Sequence, residues 1–227
     1  YNGKELVFGK PSENKEVLRK LHSELSLLGV RFGENLLAET NAFTLVIDNE
    51  QDLSGIPEGI RAQAAAAARA KNMEGKWLFT LQNPSYIPFM TYADNRALRE
   101  KMFRGYSMRG NNGNEHDNNK ILADIIRLRV EKARLLGYES HADYVLERNM
   151  AKEPETVLNF LSQIWEAALP VAKAEAAAQQ ELIDRESGKF KLEPWDWFYY
   201  TEKIRKELYE LRDEETKEED DYSLVNA

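Results

Sequence analysis

Apolar residues recur every three or four positions along most of this chain, and strand-like character is confined to two short runs. Val17, Leu18, Leu21, Leu25 and Leu28 predict a first helix, with Ser12 as N-cap beside Glu13, running on through Gly29 and Gly33 with some strain. Pro57 suits the first turn of a second helix, Ala64–Ala68 propagates it and Gly75 ends it. The alanine run reads as a helix lying close against a neighbour, because alanine combines the highest helix propensity with little bulk. From Asn83 a turn leads into a helix capped by Asp94, and Gly110–Asn119, rich in Gly and Asn, is a loop. Ile121, Ile125, Leu128, Ala133 and Leu136 form one stripe, closed by Gly137, and a short helix follows Ser140. Pro154 opens a long helix carrying Val157, Leu161, Ile164, Trp165 and Ala168, which Pro170 should kink and Gly188 should close. A last helix starts within the aromatic run "WDWFYY". The two strand-like runs, Ala42–Asp48 and Lys76–Leu81, are expected to pair. The fold class is mainly α, a multi-helix array with a small two-stranded β ribbon at about 42–48 and 76–81 and no internal repeat.

At 227 residues, with 42% hydrophobic and 31% charged residues, the chain forms one large domain or two small ones with a buried core. No apolar run approaches the roughly 20 residues of a membrane span, so a membrane role is not expected. A net charge of −8 argues against nucleic acid as a partner. The absence of cysteine removes disulfides, thiolate nucleophiles and thiolate metal sites. The chain starts at Tyr1 instead of Met and without a signal peptide, which reads as an excised piece or a processed chain.

Catalytic chemistry leaves little trace. Of the three histidines, His22 lies among leucines on the first helix, and His141 follows Ser140 at a helix start, where capping is the expected role. His116 sits between Glu115 and Asp117, but adjacent side chains diverge, and a zinc site would use a pair such as that in H-E-x-x-H. No two histidines stand at that spacing. No G-x-S-x-G elbow and no phosphate-cradling glycine loop is present. The acidic run "RDEETKEEDD" lacks the glycine and spacing of a calcium loop and reads as a solvated end. No catalytic and no metal-ligating residue is therefore assigned.

Four long stretches nevertheless resemble one family. "LGVRFGENLLAETNAFTLVIDNEQDLSGIPEGI", "GKWLFTLQNPSYIPFMTYADNRALREKMFRGY", "NNKILADIIRLRVEKARLLGYESHADYVLERNMAKEPETVLNFL" and "WDWFYYTEKIRKELYELRDEE" are similar, in order, to the zinc oligopeptidases of the thimet oligopeptidase and bacterial peptidyl-dipeptidase family. The peptidyl-dipeptidase (dipeptidyl carboxypeptidase) branch looks the nearer. The resemblance implies a mainly helical fold whose two halves flank a deep channel for short peptides. It also implies zinc held by H-E-x-x-H and a downstream Glu, with late Tyr and His residues at the oxyanion. All of those residues fall after the family's equivalent of Glu215, so none can be carried onto a position of this chain.

The resemblance implies that residues 1–215 are a helical scaffold region preceding a zinc-binding catalytic domain. Residues 216–227 form an acidic, flexible tail that leaves the family pattern; a cut, a re-engineering and a fusion would each account for it. The expected function is part of a zinc metallopeptidase (a hydrolase of short peptides), inactive as this chain alone; the alternative is a non-enzymatic helical module binding peptide or protein. The cofactor is zinc in the parent enzyme with none in this chain. The partners are short peptides and the remainder of the peptidase polypeptide, and the compartment is the cytoplasm, with the periplasm as alternative. Trp195, Asp196, Tyr199 and Tyr200 are candidates for lining the peptide channel. In the competing structural reading, Trp195, Phe198 and Tyr199 bury one face of the last helix and Asp196 favours its N-terminus.

Overall fold

A computed structural model describes residues 11–209, most of them helical. The acidic tail expected at 216–227 lies outside the described residues. Helix α1 spans Pro11–Ala42, so Ser12 falls inside its first turn and not ahead of it. A Cβ on Gly29 or Gly33 would meet nothing within 4 Å. Their cost within the helix is conformational entropy, about 0.5–1 kcal/mol each relative to alanine. Among the described residues, one compact unit combines the chain up to Glu39 with Met108–Pro170, and a second combines Thr40–Ser107 with the residues from Val171.

In the second unit, strands β1 (Leu45–Ile47) and β2 (Trp77–Phe79) pair antiparallel, Leu45 opposite Phe79 and Ile47 opposite Trp77. The ribbon is there, shorter at both ends than the runs that signalled it. Leu45 and Ile47 point into the core and Val46 outward, as the two-residue period requires. Helix α2 (Glu58–Ala70) follows Pro57 and packs on β2. Ala64 and Ala68, one turn apart, are its buried residues, so the small side chains do bring it close to a neighbour. The helix ends at Ala70, where Asn72 turns the chain with φ +58°, and Gly75 serves the next turn.

Asn83–Tyr92 is helix α3, where the sequence reads as a turn. Pro84 fits its first turn, whereas Pro88 lies inside and costs a backbone hydrogen bond, about 3 kcal/mol. Burial of Tyr86, Phe89 and Met90, about 1.5–3 kcal/mol each, outweighs that cost. Helix α4 (Arg96–Ser107) is capped by Asn95, whose Oδ1 accepts the Leu98 amide at 3.2 Å; Asp94, the expected cap, is used elsewhere. The core between these elements centres on Leu53, Ile56, Phe79, Phe89 and Met102, with Phe79 and Phe89 edge to face at 4.7 Å.

In the first unit, α5 (Asn119–Leu135) buries Leu128 and Ala133 from the expected stripe. Gly137 closes it at φ +80°: the Tyr138 amide donates to Ala133 O and the Gly137 amide to Arg134 O, a Schellman arrangement. Helix α6 (His141–Leu146) is capped by Ser140, not His141, through reciprocal bonds with Asp143. Helix α7 (Pro154–Arg185) starts in this unit, continues past Pro170, and from Val171 belongs to the second unit. Its end is made by Ser187 at φ +63° and by the Gly188 amide donating to Ile183 O at 2.8 Å. Among the described residues, no helix is long and apolar enough to cross a membrane.

Candidate functional site

The aromatic run enters a 3-10 turn, Pro194–Asp196, and then helix α8, residues 197–209 of the described chain. Asp196 closes that turn by accepting the Glu193 amide at 3.1 Å. Its carboxylate is 0% exposed and faces two guanidinium groups from α4. Arg96 reaches Oδ2 through Nη2 at 2.8 Å and Oδ1 through Nε at 3.0 Å; Arg99 reaches Oδ1 through Nη2 at 2.9 Å. Arg99, 1% exposed, spends its other donors on Ala93 O, Asp94 O and Trp195 O. A buried charge is tolerable only when it is paired and its remaining donors are met, and both conditions hold here. The Arg96 guanidinium also lies over the Phe190 ring at 4.1 Å and over the Trp195 ring at 5.4 Å.

Tyr199 extends the cluster. Its hydroxyl donates to Asp94 Oδ1 at 2.8 Å, Asp94 Oδ2 accepts the Ser54 hydroxyl at 2.6 Å, and the Arg99 guanidinium stacks on the Tyr199 ring at 4.0 Å. Burial, and then the hydrogen bond to Asp94, push the Tyr199 phenol well above its ordinary value. Burial also raises Tyr200. Both phenols stay protonated near neutrality, so Tyr199 acts as a fixed donor to Asp94 and neither ring serves as a proton-transfer group.

Trp195, Asp196, Tyr199 and Tyr200 are all buried in the second unit. Phe198, expected beside them in the core, is 45% exposed, because its position on α8 turns it away from the face that carries Tyr199 and Tyr200. Beside α8 lies a cleft of about 450 Å³. Trp197, Thr201, Ile204 and Leu208 line it from α8 and Gln179 from α7; none of the four channel candidates does. Gln179 Nε2 donates to Thr201 Oγ1 at 3.1 Å across its floor. Sequence reasoning passed over Trp197, although the i, i+4, i+7, i+11 spacing of these four α8 residues marks a single helix face.

In the first unit, Glu39 holds the Gly110–Asn119 loop. Its carboxylate accepts the Gly110 amide, Asn112 Nδ2 at 2.9 Å and Asn114 Nδ2 at 2.7 Å. Burial alone would raise the Glu39 carboxyl, but the bonds from Asn112, Gly110 and Asn114 outweigh it and hold the carboxyl below its ordinary value. Within the loop, Asp117 accepts the Gly113 amide at 3.0 Å and the Asn119 amide at 2.9 Å, and the His116 amide donates to Asn114 Oδ1 at 2.9 Å. His22 and His141 are both lowered, each first by burial. Among the described residues, no three His, Cys, Asp or Glu side chains converge as metal ligands. The donor set present does not fit a catalytic zinc ion.

Residues 89–226 match the sequence pattern of Peptidase family M3, a region that includes α4, α5, α7 and both sides of the Asp196 cluster, Arg96 and Arg99 as well as Asp196 and Tyr199. Oligopeptidase A of Escherichia coli is 40% identical over 213 residues, which are 92% of this chain and 31% of that protein. Dipeptidyl carboxypeptidase of Escherichia coli is 35% identical over 204 residues, 90% of this chain and 30% of that protein. The organellar oligopeptidase A of Arabidopsis thaliana is 34% identical over 221 residues, 90% of this chain and 27% of that protein. Identity is thus higher with the Escherichia coli oligopeptidase A than with the dipeptidyl carboxypeptidase of the same organism, the reverse of the branch order expected. The chain spans about 31% of the length of the first of these relatives. With well over half of its residues inside the family pattern, the chain belongs to peptidase family M3.

Proposed function

We propose that this chain is the helical scaffold region of a zinc metallopeptidase that hydrolyses short peptides, and that it is catalytically inactive by itself. The observation that carries the reading is the coverage: 92% of the chain aligns at 40% identity with 31% of an oligopeptidase A, while its three histidines include no pair at H-E-x-x-H spacing. The zinc ligands and the base would then come from the remainder of the peptidase polypeptide, the chain's main partner. The cytoplasm is the proposed compartment. In the parent, Trp195, Asp196, Tyr199 and Tyr200 would form the inner layer of a channel wall. Their burial and the two arginines locked on Asp196 support that role, because a wall that shapes a peptide site must be rigid. The test is metal content and cleavage of a short-peptide library by the purified chain. No stoichiometric zinc and no turnover are expected; tightly bound zinc with EDTA-sensitive cleavage would overturn the reading.

A second reading is a non-enzymatic helical module that binds peptides, and the open cleft beside α8 favours it. Saturable peptide binding without turnover, lost on Trp197→Ala, would select it.

A further inference from the structure

Helix α7 carries its largest apolar side chains into solvent. Leu158, Phe160, Leu161, Ile164 and Trp165 are all exposed, Trp165 by 63%, and Glu166 is the only charge between Glu155 and Lys173. At 3.6 residues per turn, these side chains with Val157 spread over about 160° of the helix, while Asn159, Ser162, Gln163 and Glu166 hold the opposite side. A solvated helix does not present such an arc, and a row of neighbouring exposed aromatics and aliphatics marks a surface made to be covered.

We infer that the Val157–Trp165 arc of α7 is the seat on which the remainder of a longer peptidase polypeptide docks. This rests on the reading of the chain as part of such a peptidase. Two observations select that occupant. The chain aligns with only 31% of oligopeptidase A, so most of that protein's length is available to cover the arc. The arc is also much wider than the narrow seam along which two helices pair, so one helix of a second copy would leave part of it wet. Several elements of a larger body cover it fully.

The chain contains no cysteine, so a single introduced thiol reports on the arc directly. Leu161→Cys and Trp165→Cys are made in the isolated chain and in a chimera where this chain replaces the matched stretch of the Escherichia coli oligopeptidase A, with Gln163→Cys as the polar-side control. Maleimide labelling is followed by peptide mass spectrometry, and cleavage of a short peptide is assayed alongside. Labelling at 161 and 165 is expected to be about tenfold slower in the chimera, with position 163 changed by less than about twofold. Equal rates at 161 in a chimera that cleaves peptide overturn the docking surface and leave the functional reading standing. Protection at 161 in a folded chimera without activity does the opposite. Protection in the isolated chain that grows with its concentration means that a second copy is the occupant, and overturns the inference. Should the chimera be insoluble, the remaining portion of the relative is added as a separate polypeptide, and an unchanged rate at 161 overturns it equally.

Discussion

Asp196 and Arg99 stand 97 residues apart in the chain and share a hydrogen bond of 2.9 Å with both side chains sealed from solvent. This pair ties the 3-10 turn ahead of α8 to α4, and everything aromatic around it is arranged on that tie. Arg96 grips the same carboxylate through both Nε and Nη2, and Tyr199 lies under the Arg99 guanidinium.

Removing the carboxylate leaves Arg99 charged, buried and unpaired. Asp196→Ala should lower stability by about 3–5 kcal/mol, read from the urea midpoint. The double variant Asp196→Leu with Arg99→Met should recover much of the loss, since it removes both charges together. A double variant no more stable than Asp196→Ala would show that the pair is not the source of the effect.

The Tyr199 phenol supplies an alkaline limit. Its folded value is raised by burial and by Asp94, so the folded protein holds this proton more tightly than the unfolded chain. The contribution is complete below the unfolded value near 10 and is lost as pH rises above it. Tyr199→Phe should cost about 1.5–3 kcal/mol at neutral pH, because Asp94 loses a donor, and should flatten the fall in stability above that pH. Some slope remains, because Tyr200 is raised as well. Denaturation midpoints between neutrality and strong alkali provide the measurement.

Glu39 sets an acid limit on the loop it holds. Its folded value is depressed from 4.5, so its contribution is present above that pH and is lost as pH falls through the folded value. Glu39→Gln should cost about 1.5–3 kcal/mol and reduce the acid slope of stability. Hydrogen exchange at the Gly110 amide, which donates to Glu39, should quicken in the variant at neutral pH.

Two glycines separate backbone strain from steric overlap. Gly137 has φ +80°, and a Cβ there would meet nothing within 4 Å, so Gly137→Ala should cost only the left-handed penalty of about 1–2 kcal/mol. Gly55 also has φ +80°, but a Cβ there would overlap Tyr92 O and the Asp94 carboxylate. Gly55→Ala should therefore cost distinctly more, and a thermal melt of the two variants side by side decides it.

Local features were legible wherever the determining residues lie within one turn of each other. The Gly137 termination, the helical stripe of α5 and the pairing of two short β-branched runs follow from side-chain period and backbone preference, which neighbours in sequence suffice to set. The helix at 83–92 was missed because two prolines argue against it locally, and only the burial of Tyr86, Phe89 and Met90 outweighs them. Asp94 and Asn95 were equally fit to cap α4. Tertiary structure gave the task to Asn95, because Ser54 and Tyr199 claim the Asp94 carboxylate.

By itself, then, the sequence determined a helical chain with a small ribbon, its kinship with a peptidase family, and the want of any histidine pair at zinc-binding spacing. Only the tertiary structure decided that Asp196 belongs to two arginines, that Phe198 faces out while Tyr199 and Tyr200 face in, and that the apolar arc of α7 finds no cover within the described residues. The physical reason is range. Propensity, capping and period act over three or four residues, whereas the desolvation of a charge or a ring depends on what a distant segment brings against it.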